Sequence, residues 1–382
     1  MPQPPTPADQ WPSWRRATEQ ALYGPGGFYH RPEGPAGHFR TSTQASGLFA
    51  TALVRLAEAV DDQLGRPDRF DLVEIAAGRG QLLLALAGQL ADSEQLRGRV
   101  RLVGVERAAR PPGLPAELAW VAAPARGLVG LVVANEWLDN VAVDVAEVAP
   151  DGLLRRVLVD PATGREQLGP VVTGADADWL ARWWPLTDQP VGARAEIGAP
   201  RDLAWAETVA AVGAGLAVAV DYGHLRAERV AGRYPAGTLT GYRYGRSVAP
   251  VPDGSTDLTS HLAVDACAAA GRRAGAAGTL LVSQRAALRA LGVSGARPEP
   301  GLVHSDPAGY LRLLARAGEA AELTDPVGLG GFWWLAQSVG LGLPGLLAGL
   351  AELATGSAAP GAVGWGPDRG GRAGGGEDAA GQ

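Results

Sequence analysis

The sequence predicts an α/β fold built on a parallel sheet. From Phe70 onward, short apolar runs alternate with stretches of helical periodicity, which is typical of strands joined by crossover helices. Two β-like runs around Pro150-Asp151-Gly152 interrupt that alternation and predict an inserted hairpin. The 382 residues suffice for two or three domains, or for one core with large insertions. Ligands of such sheets bind at the carboxyl ends of the strands.

The elements of the first half follow from periodicity and turn residues. A short helix is predicted around residues 11–21, and a longer one runs from the possible N-caps Thr41, Ser42 and Thr43 to the Gly65-Arg66-Pro67 stop. The core then starts with a strand at 70–76, a helix at 81–90, and strands at 100–105, 118–122 and 128–134. This is the alternation expected of a parallel sheet.

The second half predicts the insertion and the return to the core. The hairpin covers 141–148 and 153–159, and helices follow at 175–184 and 201–212. Strands are predicted at 216–220, 237–244, 279–282 and 332–336, with helices at 258–270 and 307–317. We therefore divide the chain into an N-terminal extension and helix (1–65), a core (66–355) with an insertion at about 141–215, and a Gly-, Ala- and Pro-rich tail (356–382) predicted to be disordered.

Composition excludes several classes of partner and chemistry. The chain has no lysine, so it has neither a P-loop lysine nor a lysine that could form a Schiff base. Its 34 basic against 40 acidic residues give a net charge of −6, which argues against nucleic acid as a partner. The single Cys267 excludes an internal disulfide, and the five histidines show no metal-ligand spacing. No metal site is predicted.

The termini and the apolar stretches predict a cytoplasmic protein without a membrane span. Residues 1–10 are Pro-rich and contain no apolar signal region. The uncharged stretch 332–351 has about the length that crosses a bilayer. Gln337, Ser338 and Pro344 interrupt it, however, and no Arg cluster flanks it, so we interpret it as buried strand, loop and helix.

One segment has the form of a nucleotide-cofactor loop. Residues 72–83 predict a strand, a tight turn of small residues that includes Gly78 and Gly80, and the start of a helix. Small residues let the backbone approach a ligand, and the helix N-terminus offers free N–H groups. An ordinary βα turn is the alternative interpretation. Glu106 closes the next strand, where its carboxylate could accept both hydroxyls of a ribose.

Two cofactor classes fit this layout. A dinucleotide site usually shows three glycines and an acidic residue about 20 positions on. Here Leu83 occupies the position of the third glycine, and Glu106 lies 26 positions after Gly80, which weakens that interpretation. Glu74, two residues before the small-residue turn, suits a cofactor that carries an amino-acid moiety and a sulfonium cation. The sequence therefore favours S-adenosyl-L-methionine.

Seven segments together resemble the MidA family, which contains the mitochondrial complex I assembly methyltransferases. They are the stretches 24–29, 39–42, the Glu74 loop, 134–140, 221–223, 237–239 and 257–261. The resemblance runs from about Leu22 to Gln337. It implies a Rossmann-like class I methyltransferase fold that uses S-adenosyl-L-methionine. For the mitochondrial relatives it further implies arginine methylation of a complex I subunit, and hence a protein substrate.

The chain departs from the family at one position of the loop. Where the family usually reads E-x-G-x-G-x-G, Ala76 replaces the first glycine. The added Cβ lies beside the cofactor and disfavours positive φ. We expect cofactor binding to be retained. A non-catalytic assembly or scaffold protein is the alternative that Ala76 raises, and a small-molecule methyltransferase is a further one.

Candidate site residues follow from the motif and the resemblance. Glu74, Ala76, Gly78, Gly80, Glu106 and Asn135 are the predicted cofactor-binding residues, with Asn135 near the sulfonium. If the acceptor is an arginine, its cationic guanidinium must be oriented and must lose a proton. Glu136 and Asp139, just after the fourth strand, could grip it in bidentate fashion. The simpler interpretation of both is a solvated loop charge or a helix N-cap.

Overall fold

The computed structural model describes residues 11–31, 47–347 and 349–350. Its helices are α1 (Trp14–Tyr23), α2 (Gly47–Gln63), α3 (Gln81–Ala91), α4 (Gly174–Trp183), α5 (Ala199–Ala211), α6 (Arg226–Val230), α7 (Val264–Arg273), α8 (Gln284–Ala290), α9 (Leu302–Ser305) and α10 (Pro307–Leu323). Its strands are β1 (Phe70–Ile75), β2 (Val100–Val105), β3 (Ala119–Val121), β4 (Leu128–Asn135), β5 (Asp144–Val148), β6 (Leu154–Val159), β7 (Glu166–Val171), β8 (Arg194–Ile197), β9 (Val212–Asp221), β10 (Gly223–His224), β11 (Thr240–Arg243), β12 (Arg246–Val248), β13 (Asp257–Thr259), β14 (Leu262–Ala263), β15 (Gly278–Ser283) and β16 (Trp333–Val339). Short 3-10 helices lie at Phe28–His30, Leu138–Asn140 and Leu329–Gly331.

A seven-stranded sheet forms the centre of the molecule, in the order β15-β16-β9-β4-β1-β2-β3. The pairs that join β3, β2, β1, β4 and β9 are parallel, and β16 runs antiparallel to both of its neighbours. The strand order reverses between β1 and β4, so the loops after these two strands diverge and leave a crevice at their carboxyl ends. The predicted α/β fold with a Rossmann-like sheet is confirmed.

Helices cover both faces of this sheet because successive strand residues point to opposite sides. Leu72 of β1 packs into one core cluster together with α2 and α3. The next residue, Val73, packs into a second cluster that includes Trp205 of α5 and Cys267 of α7. Strands that are buried on both faces read as continuous apolar runs, which is why β1, β4 and β9 could be recognised in the sequence.

The insertion after β4 is larger than the predicted hairpin. The β5–β6 pair is antiparallel as expected, but β7 and β8 flank it to give a four-stranded sheet in the order β7-β6-β5-β8. Sequence periodicity missed β7 because its residues are mostly exposed, and it missed β8 because that strand has four residues. Trp14 and Leu22 of α1 pack on this sheet and bring the N-terminal segment to the crevice.

The prediction of a helix over 258–270 is partly wrong. Asp257–Thr259 forms β13, which pairs with β11, and α7 begins only at Val264. Asp257 therefore does not cap a helix. Its backbone is used by a strand partner that lies about 15 residues earlier in the chain, and local sequence patterns do not reveal such a partner. The helix α8 was also missed.

Some predictions lie outside the described residues. These are the N-caps Thr41, Ser42 and Thr43 and the disordered tail at 356–382. Of the apolar stretch 332–351, residues Trp333–Val339 form the buried strand β16. Among the helices of the described ranges, none combines the length and the apolar character needed to cross a membrane.

Candidate functional site

A cavity of about 1830 Å³ opens at the carboxyl ends of β1, β2, β4 and β9. The loops after these strands form its floor, and side chains from α1, β11 and β13 form the opposite wall. Glu74, Gly78, Glu106, Asn135, Glu136 and Asp139 all line it, as do Ala76 and the neighbouring Ala77. The structure thus brings the residues singled out from sequence to one cavity, except that Gly80 lies just behind the loop.

The turn after β1 is tight and adopts left-handed backbone geometry at three positions. The φ angles are +55° at Ala76, +55° at Gly78 and +77° at Gly80. The two glycines accept this geometry freely, whereas Ala76 holds it with a Cβ attached. Gly80 is the N-cap residue of α3, so the first free N–H groups of that helix face the end of the loop.

Glu74 is buried, and one of its two carboxylate oxygens accepts no hydrogen bond from the described residues. Its side chain is 7% exposed, and Oε2 has no hydrogen-bond partner in the described part of the chain. Burial raises the pKa of Glu74 well above its ordinary value, and the nearby Glu106 charge adds to the rise. A buried carboxylate oxygen without a donor is costly, so this position suits a ligand that brings a positive charge or an N–H group.

Glu106 joins the loops that follow β1 and β2. Its Oε2 accepts a hydrogen bond from the Gly78 N–H at 3.0 Å, and its Oε1 accepts one from the Ala108 N–H at 3.0 Å. The carboxylate therefore lies at the cavity surface beside the small-residue turn. Both oxygens can still accept further donors from a ligand, because a carboxylate offers about four lone-pair sites.

The end of β4 presents an amide and a carboxylate to the cavity. Asn135 donates from Nδ2 to Oε1 of Glu136 at 3.3 Å, and its Oδ1 is buried without a partner among the described residues. Glu136 has a φ of +48°, and its N–H is held by the Val220 carbonyl at 2.8 Å. Glu136 lines the cavity and holds a left-handed backbone conformation that is strained for a residue with a side chain.

Asp139 is neither a solvated loop charge nor a helix cap. It is 6% exposed, and its Oδ2 accepts hydrogen bonds from the Tyr222 hydroxyl and from Thr259 Oγ1, the latter at 2.9 Å. Its Oδ1 is buried and has no partner in the described ranges. Burial raises the pKa of Asp139, and the bonds from Tyr222 and Thr259 oppose that rise. One oxygen is thus anchored, and the other is free to accept a donor from a ligand.

Arg201 holds the acceptor-side loops in place, and sequence reasoning gave it no role. This buried α5 residue donates to the backbone carbonyls of Asp139, Val141, Ser260 and His261. It is 3% exposed, and the Ser260 hydroxyl accepts a further bond at 3.0 Å. A planar guanidinium with five donors can serve this many carbonyls at once. No local signal marked it, because its partners come from two distant loops.

The N-terminal segment supplies two tyrosines that sequence reasoning also passed over. The rings of Tyr23 and Tyr29 stack with centroids 5.3 Å apart. The Tyr29 hydroxyl donates to Asn140 Oδ1 at 2.6 Å and lies 3.5 Å from Asp257 Oδ1. Asp257 is 5% exposed and lines the cavity. The segments 24–29 and 257–261 both belong to the family resemblance, and they contact each other through Tyr29 and Asp257.

Three other buried side chains serve packing. Trp179 and Trp184 are buried in the insertion. Cys267 is buried, and its thiol donates to Asp202 at 3.3 Å. Burial and the adjacent Asp202 carboxylate raise the pKa of the Cys267 thiol well above its ordinary value. None of these residues contributes chemistry to the cavity.

Comparison with known proteins shows the family of the chain. Residues 52–281 match a family model described as "Putative S-adenosyl-L-methionine-dependent methyltransferase". The matched range spans the strands β1–β4 and β9 whose ends form the cavity floor. No curated protein matches the sequence.

Two crystal structures from Burkholderia thailandensis are similar along nearly the whole chain. One is a protein described as a "likely methyl transferase" bound to S-adenosyl-homocysteine. It is 26% identical, the match covers 89% of this chain and 91% of that one, and the TM-score is 0.73. The other, of a protein of the same superfamily, is 27% identical, with 88% and 90% covered and a TM-score of 0.70.

Proposed function

Because the chain belongs to this family of S-adenosyl-L-methionine-dependent methyltransferases, we propose that it methylates an arginine side chain of a protein. The observation that carries the proposal is the buried, unpartnered Oδ1 of Asp139 in the wall of the cavity. It calls for a hydrogen-bond donor from a ligand. A guanidinium supplies donors and a positive charge together.

The cofactor side of the cavity fits S-adenosyl-L-methionine. Glu74 offers its unpartnered oxygen to the amino-acid end, and Gly78 and Gly80 shape the turn that closes around it. We propose that Glu106, which lines the cavity beside this turn, accepts the ribose hydroxyls. We propose that Asn135, whose Oδ1 also lacks a partner within the described residues, faces the reacting methyl. Ala76 contributes its backbone to the same loop.

The acceptor side would bind a cation. Glu136 and Asp139, three positions apart after β4, both carry carboxylates in the lining of the cavity. Two acceptors can hold the planar guanidinium in bidentate fashion and aim one nitrogen at the methyl group. The stacked Tyr23 and Tyr29 rings provide an aromatic surface against which a guanidinium packs favourably.

Methyl transfer depends mainly on the alignment of the acceptor nitrogen with the methyl group. When bound, the cofactor supplies an activated methyl group on a sulfonium, whose positive charge is lost as the methyl is transferred. The protein's part is to hold the acceptor nitrogen in line and to exclude water. The small and apolar residues of the floor, such as Ala76 and Ala77, suit a charge that disappears, because they do not stabilise the sulfonium of the ground state.

The resemblance to the MidA family adds a candidate acceptor, namely a subunit of respiratory complex I. A protein acceptor needs a cavity that opens to the surface. Residues of α1, which packs on the inserted sheet, and residues of α5 line this cavity. We therefore propose that the insertion at about 141–215 shapes the acceptor side of the core.

A comparison of methylated proteins tests this function. The proteome of the source organism is compared with that of a strain that lacks the gene, and with the deletion strain complemented by the wild type or by Asp139→Asn. We expect at least one methylarginine site, carried by a complex I subunit, to disappear on deletion and to return only with the wild type. Unchanged methylarginine in all strains would contradict the proposal and would favour a small-molecule acceptor or a scaffold role.

A further inference from the structure

We propose that Asp257 is the catalytic base, which takes the proton that the acceptor guanidinium must release. This inference rests on the proposed arginine methylation. It assigns a role beyond the two carboxylates expected to hold the acceptor. Asp257 was named from sequence only within the stretch 257–261 of the family resemblance, next to a predicted helix.

Asp257 reaches the acceptor side through the fold of β13. The strand pairs with β11 so that Asp257 lies opposite Tyr242, and α1 packs across the same strand. Its side chain lines the cavity and is 5% exposed. The Tyr29 hydroxyl, 3.5 Å from Asp257 Oδ1, is also bonded to Asn140 in the loop that carries Asp139. Asp257 therefore belongs to the wall where the guanidinium would bind.

The second observation that points to a ligand is Asp139. Its Oδ1 is buried without a partner in the described residues, although the side chain is 94% buried in a wall that it shares with Asp257. Tyr29 links the two carboxyl groups, because its hydroxyl contacts Asp257 and also donates to Asn140, the residue after Asp139. The unpartnered oxygen and the two tyrosines thus belong to the same part of the cavity wall as Asp257.

The two carboxylates differ in how firmly they are held. Two hydroxyl groups donate to Oδ2 of Asp139, and they stabilise its ionised form. The side-chain donor that the structure gives Asp257 is Tyr29 at the long distance of 3.5 Å. A buried carboxylate with few hydrogen-bond donors accepts a proton more readily than one whose ionised form is stabilised by several donors. Asp139 therefore suits binding, and Asp257 suits proton transfer.

The surroundings place the pKa of Asp257 near neutrality. The ionisable groups that face it are Tyr29 and Tyr23 from the N-terminal segment, Asp139 from the loop after β4, and Tyr242 from β11. Burial first, and then the negative charge of Asp139, raise the pKa of Asp257 to about 7. A general base works best when its pKa lies close to the working pH.

The step balances without a further reactant. A nitrogen of the guanidinium forms a bond to the methyl carbon, and the carbon–sulfur bond breaks with its electron pair going to sulfur. The proton leaves the same nitrogen for the carboxylate of Asp257. The products are a methylated guanidinium that is still cationic, a neutral thioether and a protonated Asp257, which then releases the proton to water in the open cavity.

The test uses the full chain and a peptide carrying the arginine whose methylation is lost in the deletion strain. We compare the wild type with Asp257→Asn, Asp257→Glu and the control Asp253→Asn, which changes an exposed residue four positions before Asp257, ahead of β13. Asp257→Asn is expected to lower kcat roughly 100-fold or more, while KM and cofactor affinity change little. Asp257→Glu should recover part of kcat, and the control should match the wild type.

The pH profile separates a base from a structural residue. In the wild type, kcat/KM should fall about tenfold per pH unit below pH 7 and level off above it, because protonated Asp257 cannot accept a proton. The residual activity of Asp257→Asn should not show that fall. A wild-type rate that is flat from pH 5.5 to 8.5, or an Asp257→Asn variant with wild-type kcat, would overturn the inference. The wild-type pH profile tests the role of Asp257 even if the Asp257→Asn variant does not fold.

A failure of the underlying function gives a different result. If no methylarginine site depends on the gene, the arginine proposal fails, and the assignment of Asp257 fails with it. If such a site exists and the wild-type profile is flat, only the assignment of Asp257 fails.

Discussion

The side chain of Ala76 affects the conformation of the proposed cofactor loop. The residue lies in the cofactor loop with φ +55°, where a Cβ costs about 1–2 kcal/mol relative to a right-handed conformation. The flanking positions Gly78 and Gly80 adopt similar angles without that cost. The chain therefore keeps the loop geometry despite the substitution, which favours a retained cofactor site over a degenerate one.

The first prediction concerns Ala76→Gly. Glycine removes the left-handed strain but makes the unfolded chain more flexible, so we expect the free energy of unfolding to rise by only about 0.5–1 kcal/mol. Cofactor affinity should change less than about threefold, because the loop already has its binding geometry. Denaturant unfolding and calorimetric titration measure both quantities.

The matched control is Ala77→Gly, which changes a buried neighbour without positive φ and should lower stability. A rise of Ala76→Gly affinity from near zero would contradict our account and support the scaffold alternative.

Single residues of the site were predictable to different degrees. Glu74 and Glu106 could be placed from sequence, because each lies at the carboxyl end of a strand and such ends share one edge of a parallel sheet. Tyr29 and Asp257 could not be placed so. Their contact joins positions 228 residues apart, and no local pattern encodes it. The residues of the cavity floor are thus easier to predict from the sequence than the residues of its wall.

At the scale of elements, α5 connects two loops through one side chain. Arg201 binds carbonyls of the 139–141 segment and of the 260–261 segment, so it sets the position of Asp139 relative to β13. Buried carbonyls left without donors are costly. The structure of the acceptor wall therefore depends on a helix that contributes no atom to the proposed chemistry.

The second prediction is that Arg201→Lys weakens the acceptor wall selectively. A single ammonium cannot serve these carbonyls in the geometry of a guanidinium, so the free energy of unfolding should fall by about 2–4 kcal/mol. Methyl transfer should fall at least about tenfold, with cofactor affinity nearly unchanged because Glu74 and Glu106 lie elsewhere. Arg316→Lys on the exposed face of α10 is the control. Equal losses in both variants would contradict the role given to Arg201.

The third prediction compares two helix glycines. Gly88 in α3 is exposed and has open space where a Cβ would stand, whereas a Cβ on Gly271 in α7 would overlap the Gln337 amide. That amide accepts a bond from Trp205 Nε1 at 2.7 Å and donates to the Ala268 carbonyl at 2.8 Å. We expect Gly88→Ala to raise the free energy of unfolding by about 0.5–1 kcal/mol and Gly271→Ala to lower it by roughly 2 kcal/mol or more.

Denaturant unfolding of both variants measures these changes. Gly88→Ala is the control for Gly271→Ala, because both variants replace a helix glycine by alanine. Stabilisation of the chain by Gly271→Ala would show that α7 does not pack on β16 as described.

Among the elements, those with strong apolar periodicity were predicted well. The buried strands β1, β2 and β4 match their predicted ranges within one residue. The exposed strand β7 and the short strands β8 and β13 were missed, because their existence depends on partners rather than on their own composition.

At the scale of the whole molecule, the site is formed by two regions that the chain visits separately. The sheet edge supplies the cofactor loop and the residues after β4, and α1 with β11 and β13 supplies the opposite wall. The sequence could predict the first region from the alternation of strands and helices. The second follows only from tertiary packing, namely the burial of Trp14 and Leu22 of α1 against the inserted sheet.

Calorimetric titration of the intact protein with S-adenosyl-L-methionine tests the central claim, that this cavity binds the methyl donor through the loops after β1 and β2. We expect saturable binding by the wild type and by Glu117→Ala, an exposed control outside the cavity. Glu106→Ala should abolish binding, because it removes the carboxylate placed for the ribose and the link to Gly78. Absence of binding by the wild type, or undiminished binding by Glu106→Ala, would contradict the account.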